Sequence, residues 1–486
     1  MSTATAAAAA AAMAPALRLV AAMEAEPAVA PAFAVRDAGA DARLLAGYHR
    51  LRRRAFVEQQ GLFAGHDRDE HDDPDGATTV LVAVDPAGTV VGGVRLHPEL
   101  AHPDLGWWSG SRLVCAPQLG TRRGEVGAAL VSGACAAALR CGALRFDATV
   151  QTRHERFFGK LGWERVGATE VAGRPHVAMR WPVARFARLV EQTKQPLGPL
   201  LGGLLAQDAW RGDDGAPLPG SDIIACTDAI LPAMVARDPE WAGWCAMLVN
   251  AHDLSAMGAA PVAALDVLGA RDSHHAERVL RGLRDGAAAL DLPIVGGHTQ
   301  LGVSPSLSVT ALGRTADPVP AGGGRAGDAL TITADVAGGW RRGYEARQWD
   351  STSWRTRDEL RPMLDAVAAQ RPRAAKDVSM AGVVGTTGML AEACGCGAEL
   401  DVARIPRPLH APIGDWLTCF PGFALVTAGA PDAPPLRAGA AVSAACGRLD
   451  GDAGVRLRWP DGAVTTALGS GATGLGPAAT DEEHQR

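Results

Sequence analysis

Four aspartates and an asparagine in the C-terminal half have the types and spacing for metal-phosphate chemistry. Asn250 and Asp253 lie in NAHDLSAMGAAP, three positions apart, so on a helix they share one face. Gly258 then supplies a C-terminal cap and Pro261 forbids continuation. Asp213 and Asp214 stand upstream in WRGDDGAP, and Asp228 follows the apolar run IIACT. Carboxylates gathered in this way suit Mg2+, a hard ion that takes oxygen ligands and shares them with substrate phosphates. Taken singly, each aspartate also reads as a helix N-cap, and Asn250 as part of a solvated helix face.

A second stretch suits an anion. The basic loop GTRRGEVG joins the strand SRLVCAP to the long helix VGAALVSGACAAALRCG. Free backbone N–H groups at such a helix start attract negative charge, and Arg122 and Arg123 add charge-assisted contacts. Pyrophosphate is the natural guest. Downstream, LPIVGGHTQLG reads as a short strand opening into the glycine pair Gly296 and Gly297.

Composition bounds the rest. At 486 residues the chain exceeds one ordinary core, and 47% hydrophobic with 21% charged residues describes a globular protein. A net charge of -6 offers no broad basic footprint, which argues against nucleic acid as a partner. Nine cysteines without paired spacing fit a reducing cytoplasm, and the Cys394, Cys396 pair reads as a tight turn. No stretch reaches membrane-spanning length, and the Ala-rich residues 1–31 are expected to be a disordered tail, as are 473–486.

Periodicity then supplies the elements that must position these groups. Apolar spacing from Asp41 to Leu62 predicts one amphipathic helix, and the acidic run GHDRDEHDD after it is expected to be solvated. TTVLVAV and TVVGGVRLHP form a hairpin across Asp85 to Gly88. LRFDATV is a strand, and QTRHERFFGKLGWERVG a short helix turning into another. Residues 184–207 are a helical connector broken by Pro196 and Pro199. Beyond it the pattern alternates strands with the tryptophan-rich helix from Pro239 and an amphipathic helix from His274 to Leu290.

On these motifs residues 32–183 resemble a GNAT acetyltransferase, a mixed sheet with helices on both faces. The pyrophosphate loop, the aromatic helix with its Leu-Gly-Trp turn, and the FVEQQGLF and HDRDEHD stretches carry the likeness. It implies acetyl-CoA bound by Val114, Arg122, Arg123, Gly124, Val126, Gly127 and Ala128. Two departures stand out: two residues separate Gly124 from Gly127, and Phe157 and Phe158 occupy the region where many members place a tyrosine acid.

The order GDD, TD, Asn-x-x-Asp with AMGA-x-P, and Gly-Gly-x-Thr resembles the AIR synthase (PurM-like) superfamily, an α+β unit in two parts, 208–316 and 317–472. The resemblance implies Asp213, Asp214, Asp228 and Asp253 on Mg2+ and ATP phosphates. Asn250, Gly296, Gly297, His298 and Thr299 would line the nucleotide, and the unit would pair as a homodimer. The thiamine-phosphate kinase signature is incomplete: Asp377 and Ser379 are followed by Met380 and Ala381. The helix with Gly382, Gly385 and Gly388 reads either as close packing or as a phosphate cradle. The fused architecture is similar to proteins of nitrilase-associated bacterial gene clusters linked to nitrogen metabolism. The expectation is a cytoplasmic bifunctional enzyme acting on small molecules, with a nucleotide- or CoA-sensing regulator or scaffold as the competing reading.

Overall fold

The computed structural model describes residues 32–73, 77–99, 104–204 and 210–478, so the expected tail at 1–31 and residues 479–486 lie outside it. The chain divides into two units: Met1–His97 with Ser109–Ala137 and Asp147–Arg180, and Pro98–Trp108 with Ala138–Phe146 and Trp181–Arg486.

The first unit is built on seven strands: β1 (Ala34–Asp37), β2 (Thr79–Val84), β3 (Val90–Pro98), β4 (Trp107–Cys115), β5 (Arg145–Gln151), β6 (Glu164–Val171) and β7 (Arg174–Trp181). Their order in the sheet is β1-β2-β3-β4-β5-β7-β6. The β2–β3 hairpin forms because Asp85 accepts from the N–H groups of Ala87 and Thr89, at 3.0 and 2.8 Å, and Gly88 takes a left-handed φ of 81°.

Helix α1 (Ala42–Arg52) is capped by Asp41, whose side chain accepts from the N–H of Arg43 and Leu44. The single helix expected to Leu62 is not continuous. A π-helical turn takes over at Arg53–Gln59, immediately after Arg52, whose guanidinium is fully buried.

What buries Arg52 corrects the reading of the acidic run as solvated. Arg52 bonds Asp67 at 2.7 Å and Asp72 at 2.5 Å, Arg95 reaches Asp69 at 2.5 Å and Asp72 at 2.9 Å, and Arg112 reaches Asp69 at 3.0 Å. Burial alone would raise the Asp72 carboxyl, but the neighbouring His49 ring and Arg52 guanidinium outweigh it and hold the group far below the usual carboxylate range. Charge alternation in sequence is matched by arginines up to 45 positions away, which local periodicity cannot register.

Helix α2 (Arg123–Arg140) follows β4 through a 3-10 turn at Pro117–Arg122, and α3 (Glu155–Lys160) precedes β6. The basic residues expected in a loop therefore sit on the turn and the first helical residue.

In the second unit, β8 (Ala216–Pro217), β9 (Ile223–Ile230), β10 (Ala260–Ala270), β11 (Ile294–Leu301) and β12 (Ser306–Arg314) form a sheet ordered β11-β10-β12-β9-β8. β10 and β11 run parallel and the remaining neighbours antiparallel. The segment expected as a connector forms α4 (Arg185–Thr193), whose Phe186 and Val190 are buried in this unit's core. Helices α5 (Pro239–Ala256) and α6 (Ser273–Ala289) cross backbone to backbone: a β-carbon on Gly282 would stand 1.9 Å from the Glu240 carbonyl oxygen.

A second sheet contains β13 (Ala329–Ala334), β14 (Ala374–Asp377), β15 (Gly397–Asp401), β16 (Ala424–Gly429), β17 (Val442–Asp450), β18 (Val455–Arg458) and β19 (Val464–Leu468). Their order is β14-β16-β13-β17-β15-β18-β19. One core, including Leu248, Leu254, Val309, Ala375 and Leu425, joins the two sheets around α5. Helix α7 (Gly382–Ala393) sets Gly385 against Val190 and Gly388 against Leu468, the packing use of its small residues. Thr473, in the stretch expected as a tail, is buried, and its N–H and hydroxyl donate to Glu392 at 2.7 and 3.1 Å. All nine cysteines are free, and among the described residues no helix is long and apolar enough to cross a membrane.

Candidate metal and phosphate site

Helix α5 presents its last turn to the site and then stops. Ala259 donates to the Leu254 carbonyl at 2.8 Å and Gly258 to Ser255 at 2.9 Å, with Gly258 at a φ of 65°. This is a Schellman closure, and glycine is needed because its φ is left-handed. Two residues later the chain enters β10, so Asp253 sits at a fixed helix end.

Asp253 meets two other carboxylates there. Oxygen atoms of Asp214, Asp253 and Asp377 all lie within 4.8 Å of one another. Asp214 comes from the loop before β8, Asp253 from α5 and Asp377 from the end of β14, so three separate elements must fold before the cluster exists. Lys376 joins them: it is 1% exposed, its Nζ donates to the Gly212 carbonyl at 2.7 Å, and it pairs with Asp214 Oδ1. The other Asp214 oxygen accepts from the Asp377 backbone N–H at 2.9 Å.

Burial pushes Asp253 and Asp377 well above the usual carboxylate range; for Asp253 the charges of Asp377, Asp228 and Asp214 add to it, and for Asp377 that of Asp214. Asp228 is also raised, mainly by burial, although a side-chain hydrogen bond with Asp253 works the other way. Like charges so close need a cation or protons, and the donor set is all oxygen, the chemistry Mg2+ prefers.

The expected residues divide accordingly. Asp214 and Asp253 are in the cluster, and Asp228, on the helix-facing side of β9, is not one of its three members, although its charge acts on Asp253. Asp213 is not among the three converging carboxylates; its Oδ1 accepts from the Ala321 N–H at 2.5 Å, which fixes the segment between the two sheets. Burial pushes its carboxyl up to about 6. Asn250 does not line a cleft: it is fully buried, its amide donates back to the Ala246 carbonyl at 2.9 Å, and its oxygen receives the Cys226 thiol at 3.5 Å. The helix turns this residue into the sheet, because Asn250 and Asp253 are 300° apart around the axis, adjacent but not coincident.

Gly296, Gly297, His298 and Thr299 stay in β11, an exposed edge strand, instead of opening into a loop. Two strands separate β11 from β9, so within one chain they stand roughly 14 Å across the sheet from Asp228. In the first unit, Val114 is buried in the core beside Tyr48. Arg122, Arg123 and Gly124 are exposed, Val126 and Gly127 buried and Ala128 half-buried. The Phe157 ring lies 3.3 Å from where a β-carbon on Gly127 would stand.

Asp377 and Lys376 are the residues that reasoning from the sequence did not assign to the centre. Asp377 had a signal, since it matched part of a known signature; Lys376 had none, because only folding brings β14 to the Gly212–Asp214 loop.

With this geometry in hand, comparison places the second unit among known proteins. Residues 212–315 match the family described as AIR synthase related protein, N-terminal domain, and 327–449 its C-terminal domain. An uncharacterized protein of Synechocystis is 32% identical over 219 residues, covering 44% of this chain and 68% of that protein. A thiamine-monophosphate kinase of Rhodopirellula baltica is 34% identical over 137 residues, covering 26% of this chain and 43% of the kinase. The solved thiamine monophosphate kinase from Aquifex aeolicus is 18% identical, with a TM-score of 0.42, over 55% of this chain and 96% of that one.

Proposed function

Because the chain belongs to the AIR synthase related family through residues 212–449, we propose that its second unit is an enzyme that uses Mg-ATP to phosphorylate or activate an oxygen or amide of a small metabolite. The observation that carries this reading is the convergence of Asp214, Asp253 and Asp377 within 4.8 Å at a buried helix end. Mg2+ held by these carboxylates would neutralise phosphate charge, and phosphoryl transfer depends largely on such neutralisation and on positioning. The chain's own part is to fix the ligands: the Schellman closure sets Asp253, the Lys376 pair and the Asp377 N–H set Asp214, and strand β14 sets Asp377. The kinase relative named above performs a reaction of this class.

The test is calorimetric titration of the full chain with a non-hydrolysable ATP analogue and Mg2+. Binding should require the metal, and Asp253→Asn should weaken it tenfold or more. Equal affinity with and without Mg2+, or in the variant, would sink the reading.

For the first unit we propose an acetyl-CoA-dependent N-acyltransferase. The sheet order, and exposed Arg122 and Arg123 at the start of α2, support it. Phe157 against Gly127 leaves no tyrosine hydroxyl at that point, so the leaving thiolate would take its proton from another group or from water. Arg122→Glu combined with Arg123→Glu should weaken acetyl-CoA binding at least tenfold, read by fluorescence competition. Unchanged affinity would refute the assignment.

A further inference from the structure

Resting on the metal reading above, we propose that Lys376 is a positioning residue that acts as a built-in counter-cation of the acidic centre. It holds Asp214 ready while keeping the affinity for a lone divalent ion low, so that the metal enters together with the nucleotide phosphates.

Lys376 is 1% exposed and its ammonium has a charged partner in Asp214, with the Gly212 carbonyl as a second acceptor at 2.7 Å. Asp214 is tied at both ends, by this ammonium at Oδ1 and by the Asp377 N–H at Oδ2. Lys376 and Asp377 thus both donate to Asp214, through an ammonium and a backbone N–H, while the Asp377 carboxylate lies within 4.8 Å of it. A divalent ion among Asp214, Asp253 and Asp377 must share Asp214 with a cation already in contact with it, inside a site from which water is largely removed, where such repulsion is strong. Nucleotide phosphates bring further negative charge and oxygen ligands, which offsets that repulsion. An ordered loading follows: the centre is pre-formed without metal, and it takes its ion with the nucleotide.

A purely structural lysine predicts the opposite outcome on removal, since Asp214 would lose its anchor and metal binding would weaken. The test measures free Mn2+ by electron paramagnetic resonance during titration of the full chain with Mn2+ alone. Lys376→Met should bind Mn2+ at least tenfold more tightly than wild type, and Lys376→Arg should stay within threefold of it. In the presence of the ATP analogue the difference between wild type and Lys376→Met should shrink. If Lys376→Met fails to reach the native fold by circular dichroism, Lys376→Gln carries the same test, since it keeps a donor for Gly212 without charge. Wild type that binds Mn2+ with variants binding no more tightly overturns this proposal alone. Absence of Mn2+ binding in every variant overturns the metal reading with it.

Discussion

Asp253 and Asp377 approach each other in a site where burial has removed most of the water that would stabilise their charges. Burial and mutual repulsion therefore oppose folding in the charged form, while the same repulsion is what a divalent ion relieves. The two demands can be separated by one substitution. Asp377→Asn should raise the melting temperature of metal-free protein at pH 8 by roughly 1–2 °C, the shift expected for about 1 kcal/mol in a unit of this size. It should at the same time weaken Mn2+ binding tenfold or more. Scanning fluorimetry in EDTA and metal titration check the two arms, and a variant less stable than wild type in EDTA would show that Asp377 is mainly a structural acceptor. Of these residues, Asp214, Asp228 and Asp253 could be nominated from type and order alone. Asp213 and Asn250 could not be told from ligands in the sequence, because the choice of partner, the Ala321 N–H or the Ala246 carbonyl, is made by packing.

Among the elements, α5 was the most legible, since its apolar run, Gly258 and Pro261 fix where it ends. β11 was misread because glycine pairs usually break strands, whereas here Gly297 lies against β10 where any side chain would collide: a β-carbon would stand 2.3 Å from Asp266 Oδ1. The outer face of this sheet carries Leu265, Val267 and Val295, which are 40%, 56% and 65% exposed. Exposed apolar side chains gathered on one sheet face suit a protein contact, and we propose that a second copy of the chain covers them. Val267→Glu would put a charge in the middle of that face. Light scattering after gel filtration should then report half the wild-type mass, with the circular dichroism spectrum retained. A wild-type chain already monomeric at tens of micromolar would exclude the arrangement.

Across the whole molecule, two sets of carboxylates respond to pH in opposite ways. Asp69 and Asp72 are held below the usual range against burial, by Arg95 and by His49 with Arg52 respectively, so their stabilisation is present above the unfolded carboxylate value and is lost as pH falls. Asp213, Asp228, Asp253 and Asp377 are raised, so the folded chain binds more protons than the unfolded one and stability declines as pH rises through the interval. For Asp213 that interval runs from about 4, the ordinary value, to about 6, and Asp253 and Asp377 are raised in the same direction. Metal-free protein should therefore lose stability from pH 4 to 7 in urea denaturation, and saturating Mg2+ should abolish much of the decline by replacing the protons at Asp253 and Asp377. A flat profile in EDTA would contradict it. The sequence by itself determined most helix and strand segments, the end of α5, the acidic character of the centre and the family to which 212–449 belong, because periodicity, capping and motif order are local properties. Only the tertiary structure decided which carboxylates meet, that Lys376 joins them, and that Asp67, Asp69 and Asp72 of the acidic run after α1 pair with Arg52, Arg95 and Arg112. Those outcomes depend on contacts between residues tens to more than a hundred positions apart, and on burial, which turns an exposed charge into one that must find a partner.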